Sequence, residues 1–282
     1  MTESKIHHFL PQCYLKHFTH NGKQLYLYDK QKDEIRPGNI ERSFYARNRN
    51  TIVTPSGNSS RAIEDMYGDI ENDCAPVLEK IANGSAKDIL PLMDKFTLSL
   101  FVATQFWRVP SIDEHAEELL AKHGLTGSGN WHIKYPEGWT EEMRQKLEGD
   151  LSKLDATKKY YHLMLTFEPF FDKKYVQSLE KWKIYFQEPG FYFTCDNPMI
   201  VSNEATPQNI LDELILPLAS GRILVASSSK PKEVNPEWTY NVDMQLIKQA
   251  DRYVASSNED FLKAMVKAYK DGRYELTDIT PL

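Results

Sequence analysis

Residues suited to chemistry gather at three places in the chain. The first is "KIHHFLPQCYLKHF", residues 5–18, which together with His20 carries four of the eight histidines beside Pro11, Gln12 and Tyr14. His7 and His8 are adjacent, so in an extended segment they point to opposite faces and at most one serves a given site. The second is "QFWRVP", residues 105–110, where Arg108 ends an apolar run and Gln105 shares its helical stripe. A buried arginine needs a carboxylate or phosphate to answer it. Asp196, Glu64 and Glu71 could make that a structural pair; a substrate phosphate or carboxylate would make Arg108 a two-toothed clamp. The third is "FYFTCDNPMIV", residues 191–201, where Asp196 stands at the break between two apolar strands, just before Asn197–Pro198. An acid held there either projects into a pocket as base or ligand or is spent in an Asx-type turn.

These side chains in one cleft would suit acid/base or metal-assisted attack at a phosphate or carbonyl. The expected catalytic set is His8, Gln105, Arg108 and Asp196, with Glu64, Glu71, Arg47, Arg49 and Tyr14 on the substrate. "SFYARNRN", residues 43–50, adds Arg47 and Arg49, with Arg42 just before it, to Phe44 and Tyr45. Interleaved arginines and aromatics suit phosphate contacts plus base stacking, and equally an ordinary basic surface strand. The partner expected is therefore a small anionic ligand or a nucleic acid. A divalent metal is compatible with the set, although no HxxxH or HExxH motif supplies it. The chain also has no P-loop, GxGxxG, GxSxG or CxxC. Two functions stay open: a hydrolase of a nucleotide or nucleic-acid phosphoester, and a non-catalytic ligand-binding or toxin/defence-type interaction protein. A third begins at the same arginine, because Arg108 and His115 resemble the spaced Arg and His of HEPN ribonucleases.

The elements that must position these groups read as α+β in a single domain, 1–282. "QLYLYD" (24–29) alternates as a strand after the turn signal Asn21–Gly22, with "PGN" (37–39) and "TPSGNSS" (54–60) as further breaks. Ser59–Ser60 are candidate N-caps for a helix whose Ile63, Tyr67, Ile70, Cys74, Val77 and Ile81 share one face. Residues 87–109 are apolar nearly all round and predict a central buried helix. Residues 111–155 are more polar and predict a peripheral helical lobe, with a helix in 140–154. Two more helices follow in "KKYYHLMLTF" and "KYVQSLEKW". Beyond Trp182 come strands 183–188, 191–195, 199–203, 214–218 and 222–228, with Pro189–Gly190 as a hairpin turn. Helices 241–250 and 259–269 flank the strand "RYVAS", completing a mostly antiparallel C-terminal sheet.

Totals narrow the class. Of 282 residues, 41% are hydrophobic and 12% aromatic, enough for a sizeable core. A net charge of −6 argues against a general nucleic-acid coat while leaving room for a local basic pocket. Cys13, Cys74 and Cys195 are few and far apart, so three reduced thiols are expected. The start of the chain lacks a charged leader with an apolar segment, and no run reaches the roughly 20 apolar residues a bilayer needs, so a cytoplasmic protein with no membrane partner is expected.

Taken in order, "HHFLPQCYLKHF", "LYLYDK", "IEDMYGDIEN", "TQFWRVP", "FTCDNPMIV" and "LPLASGRILV" resemble domain-of-unknown-function family 4238, found widely in bacteria, over roughly residues 5–255. The resemblance implies a shared site on three motifs. Its His-Pro-x-x-Tyr-Leu pattern falls on His8, Pro11, Tyr14 and Leu15, and its Gln-x-x-Arg-x-Pro pattern on Gln105, Arg108 and Pro110. Its Ser-Asp-x-Pro pattern falls on Asp196 and Pro198, with Cys195 where a hydroxyl residue is usual. Trp107 likewise stands where a smaller residue is expected.

Overall fold

Alternating and all-apolar runs set the two kinds of element, and the computed structural model describes them over residues 6–53, 59–85, 90–126, 131–188, 191–202, 205–227 and 234–273. The N-terminal part holds β1 (Ile6–His8), a one-turn α1 (Gln12–Leu15), β2 (Gln24–Asp29), β3 (Glu34–Asn39), β4 (Tyr45–Arg47), β5 (Ile52–Val53) and β6 (Ser59–Ser60). A helical middle follows: α2 (Ala62–Asn83), α3 (Leu92–Arg108), α4 (Asp113–His123), α5 (Glu141–Leu151), α6 (Asp155–Phe167) and α7 (Tyr175–Glu180). The C-terminal part contains β7 (Trp182–Phe186), β8 (Thr194–Cys195), β9 (Ile200–Val201), β10 (Leu214–Ala219), β11 (Arg222–Ala226), α8 (Pro236–Gln249), β12 (Tyr253–Ser256) and α9 (Glu259–Lys270). The class is α+β.

Every strand pairing is antiparallel among the described residues. Two four-stranded sheets run β7-β11-β10-β9 and β3-β2-β12-β8, and β1-β4 and β5-β6 form short ribbons. Both large sheets are covered on two faces, as the period-two alternation of side chains shows. On β11, Leu224 and Ala226 join a core with α2, α3 and α6, while Ile223 and Val225 join a second core with α8 and α9. Ala255 and Val254 of β12 divide the same way.

The turn at Asn21–Gly22 forms as expected: Asn21 Oδ1 accepts the Lys23 and Gln24 N–H groups, and Gly22 takes φ +81°. "PGN" instead lies within β3, an edge strand, where proline is tolerated. A Cβ at Gly38 would sit 2.5 Å from Leu27 Cδ1, so a larger residue there must displace that buried side chain. Ser59–Ser60 pair with β5 rather than capping α2 directly; Arg61 occupies the cap, and Ser60 Oγ accepts the Ala62 N–H. Strands 183–188 and 191–195 do not form a hairpin, because β7 pairs with β11 and β8 with β12. Residues 189 and 190, expected as its turn, lie outside the described residues, as do 54–58.

The helix expected within 87–109 starts at Leu92 after Pro91 and ends where Val109 is held extended before Pro110. Its stretch from Phe101 to Arg108 is buried throughout. Each large side chain there, such as Phe101 or Trp107, contributes roughly 1.5–3 kcal/mol by leaving water. Two ion pairs bracket α2 against antiparallel α3, Lys80–Asp94 at 2.6 Å and Arg108–Glu71 at 2.5 Å. Within 111–155, α4 sends Ala116 and Leu120 into the main core, whereas α5 has no buried side chain. The polar sequence reflects α5 and the outer face of α4, so only part of that stretch stands apart.

Candidate functional site

β1 places its two histidines on opposite faces. His7 is buried; its Nδ1 accepts the Asn50 N–H at 2.9 Å, and Glu64 Oε2 lies 3.7 Å away. Glu64 also accepts from Asn50 Nδ2 at 2.6 Å, so the first glutamate of the expected set ties β1 to the 48–50 turn. His8 turns the other way, edge-on to Tyr45 and within electrostatic reach of Arg108 and Glu71. Burial lowers its pKa, against hydrogen bonds to the Ile40 and Glu41 backbone that favour the charged form. A lowered imidazole pKa leaves it neutral near pH 7, with a lone pair to offer.

Arg108 closes α3 with only 3% of its surface exposed. Its Nη1 meets Glu71 Oε1 and its guanidinium lies over the Tyr67 ring at 4.5 Å, both on α2. One turn earlier, Gln105 donates Nε2 to the Phe9 carbonyl at 3.0 Å, which locks α3 to the segment after β1. The structure thus brings His8, Glu71, Gln105 and Arg108 together, with Glu64 beside them through His7 and Asn50. Around this point six buried polar atoms lack a hydrogen-bond partner among the described residues: His8 Nε2, Thr104 Oγ1, Gln105 Oε1, Trp107 Nε1, Arg108 Nε and Ser111 Oγ. Most buried polar atoms in folded proteins are paired, so a concentration of exceptions at one helix end marks a specialised place.

Arg49 serves the same helix end. Its Nε donates to the Arg108 carbonyl at 3.2 Å while both terminal nitrogens grip Asp113, at 2.7 and 2.5 Å. His162 of α6 donates Nδ1 to the neighbouring Trp107 carbonyl at 3.0 Å. Together they satisfy carbonyls that a helix C-terminus leaves open. A cavity of about 120 Å³ lies there, lined by Arg49, Arg108 and His162 among others. Its cations are matched one for one, by Asp113 and Glu71 and in the pairs Lys158–Glu117 and Lys159–Asp155. His115 faces another cavity and stacks on Trp107 at 5.9 Å, so it does not share Arg108's cavity as the HEPN-like spacing would require.

Asp196 lines a third cavity, of about 640 Å³, together with Arg36, Arg42, Arg47 and Arg252 and the rings of Phe44, Tyr45 and Tyr253. Its carboxylate is already occupied. Oδ1 accepts the Asp251 N–H at 2.9 Å, and Oδ2 accepts those of Arg252 and Tyr253 at 2.7 and 2.8 Å. Burial raises its pKa, opposed by those three hydrogen bonds. Asp196 therefore anchors the backbone that enters β12 and shapes this cavity's wall, a positioning role rather than that of a free base. Arg252 is fixed in turn by Asp29, fully buried, through Nε at 3.2 Å and Nη2 at 2.9 Å, and lies over Tyr253 at 4.6 Å. Neither Arg42 nor Arg47 makes an ion pair among the described residues. Tyr14 reaches neither cavity; its hydroxyl donates to Pro217 O at 2.8 Å and meets Thr194 Oγ1 at 3.0 Å, deep in the core.

The expected set thus divides in two. His8, Glu64, Glu71, Gln105, Arg108 and Arg49 surround the end of α3, while Asp196 and Arg47 face the arginine cavity. Sequence reading missed Arg36, Arg252, Tyr253 and Asp29, whose single signal was the arginine–tyrosine pair opening "RYVAS". Among the described residues no three His, Cys, Asp or Glu side chains gather as a metal ion would need. The three cysteines are unpaired, and burial pushes the Cys13 thiol up to about 11 and Cys74 to about 12, away from thiolate chemistry. No helix of the described residues is long and apolar enough to cross a membrane.

No curated protein and no solved structure matches the chain. The motifs around both halves of the site nevertheless have a shared home: residues 6–260 match the family described as protein of unknown function (DUF4238), and the chain belongs to that family.

Proposed function

We propose that the protein binds a phosphate-bearing ligand, a nucleotide or a nucleic-acid strand, in the cavity framed by Arg36, Arg42, Arg47 and Arg252. The observation that carries this reading is the make-up of that cavity: four guanidinium groups and four aromatic rings, Phe9 among them, around one hollow, whose acids Asp196 and Asp251 form no ion pair with Arg42 or Arg47. Guanidinium forks suit phosphate oxygens, and rings offer faces for bases. Within a chain of net charge −6, such a patch concentrates positive potential locally.

Phosphoester hydrolysis is the second reading, favoured by His8, a lowered-pKa imidazole with an unpaired Nε2 near Arg108. In that chemistry His8 takes a proton from the attacking water, and an arginine neutralises the charge growing on phosphorus-bound oxygen. A toxin- or defence-type interaction would use the same arginine cavity to hold a partner's anionic groups without turnover.

One panel separates these. Labelled single-stranded RNA and DNA and free nucleotides are titrated against wild type and Arg42→Ala/Arg47→Ala by fluorescence anisotropy, and turnover is followed with and without Mg²⁺ or Mn²⁺. Binding to wild type should weaken at least tenfold in the double variant. Its salt slope on single strands should fall by about 0.7 for each phosphate that no longer meets an arginine. Turnover abolished by His8→Ala would favour the hydrolase. If neither strands nor nucleotides bind wild type, or the double variant binds equally, the proposal fails.

A further inference from the structure

A separate cavity of about 480 Å³ lies between α4, α6 and the segment 205–208. Its volume is within the roughly 300–1,000 Å³ typical of small-molecule sites. The lining is mainly apolar, from Leu119, Leu125, Trp131, Tyr161, Met164 and Leu165. Its wall is pinned: buried Glu168 accepts Trp131 Nε1 at 2.7 Å and Gln208 Nε2 at 3.2 Å, which joins three distant parts of the chain.

The charges of α4 are segregated about this hollow. The helix carries the acids Asp113, Glu114, Glu117 and Glu118 and the bases His115, Lys122 and His123. All three of these bases line the cavity and none of these acids does; the carboxylate in the lining is Glu168, held by Trp131 and Gln208. Asp113 and Glu117 are engaged elsewhere, by Arg49 and Lys158. Glu118 and Lys122 stand four residues apart, in the order that favours an ion pair on a helix surface. That pair is not formed, and Lys122 lines the hollow instead. Lys122 and His123 also complement the negative end of the α4 dipole, which accounts for their place in the last turn but not for the missing pair with Glu118.

We propose that this cavity binds a small amphipathic molecule with an apolar body and a single anionic head, the body among the apolar side chains and the head at Lys122 and the two histidines. The hollow is lined independently of the arginine cavity, so the inference does not depend on phosphate recognition.

Decanoate is the probe, titrated calorimetrically into the purified 282-residue chain at pH 7, with decan-1-ol and decyltrimethylammonium as controls. Saturable one-to-one binding of decanoate is expected, at least tenfold weaker for the alcohol and absent for the cation. Lys122→Gln should weaken decanoate about tenfold, and Leu119→Asp, at the half-buried rim, should abolish binding. Met164→Trp fills the hollow and should also abolish it; if that variant does not fold, Leu119→Asp stands in its place. Arg42→Ala/Arg47→Ala should bind decanoate like wild type. The inference is overturned if wild type does not bind decanoate, if the cation binds as well, or if Lys122→Gln and Leu119→Asp leave the affinity unchanged.

Discussion

Whether Arg108 is chiefly a structural cation can be decided by a double-mutant cycle with Glu71. The arginine side chain is 2% exposed and its partner 27% exposed. Removing one member of a buried pair costs about 3–5 kcal/mol when the survivor stays dry. Glu71 can recover part of its hydration, so Arg108→Met should cost less, about 2–4 kcal/mol, including ~0.5–2 kcal/mol for the cation–π attraction to Tyr67. Glu71→Gln strands a guanidinium that can neither reach solvent nor release its proton, and should cost more, about 3–5 kcal/mol. The double variant leaves no stranded charge, so the two effects should fall short of additivity by about 1–3 kcal/mol. Urea unfolding followed by tryptophan fluorescence gives the free energies. At about 2–4 °C per kcal/mol for a chain of this size class, the Tm of Arg108→Met should drop by about 4–16 °C. Additivity to within about 0.5 kcal/mol would refute the reasoning. So would a rise in Tm for Arg108→Met, the sign of an arginine kept for a ligand at the expense of the fold.

Asp196→Ala removes the acceptor of three backbone N–H groups and should cost about 2–4 kcal/mol, with amide exchange at residues 251–253 accelerated first; unchanged protection there would refute the anchoring role. Asp243 is fully buried, and burial pushes its pKa up to about 8, against hydrogen bonds from the Phe193 and Tyr192 backbone. The folded state then holds this proton more tightly than the unfolded one. The contribution is complete below about pH 4 and is lost as pH rises towards 8, by up to ~1.4 kcal/mol per unit. Asp243→Asn should flatten that slope in urea titrations run from pH 5 to pH 8, and an unchanged slope would count against the assignment.

Local patterns in the amino-acid order determine much of this protein. The 3.6-residue spacing of Ile63, Tyr67, Ile70 and Cys74 makes the buried face of α2, and proline before and after the apolar run bounds α3. Alternation in "QLYLYD" makes β2, with Asn21–Gly22 as its turn. Those signals are short-range: they depend on backbone geometry and on side chains within a turn or two. The same reach made Gln105 and Arg108 neighbours on one stripe and placed His7 and His8 on opposite faces.

Pairing across the chain is another matter, decided only when elements pack. Nothing near residue 191 says that β8 joins β12 rather than β7; that follows from which faces can be buried together. Three carboxylates could have answered Arg108, and packing α2 against α3 selected Glu71, leaving Glu64 to Asn50. Asp196 found its donors more than fifty residues away, in backbone that no side-chain pattern distinguishes. The arginine cavity likewise draws Arg36, Arg47 and Arg252 from three separate strands or their ends, and its charge density exists only in the folded state. A residue's type sets which interactions it can make, whereas burial and the nearest available partner decide which one it does make.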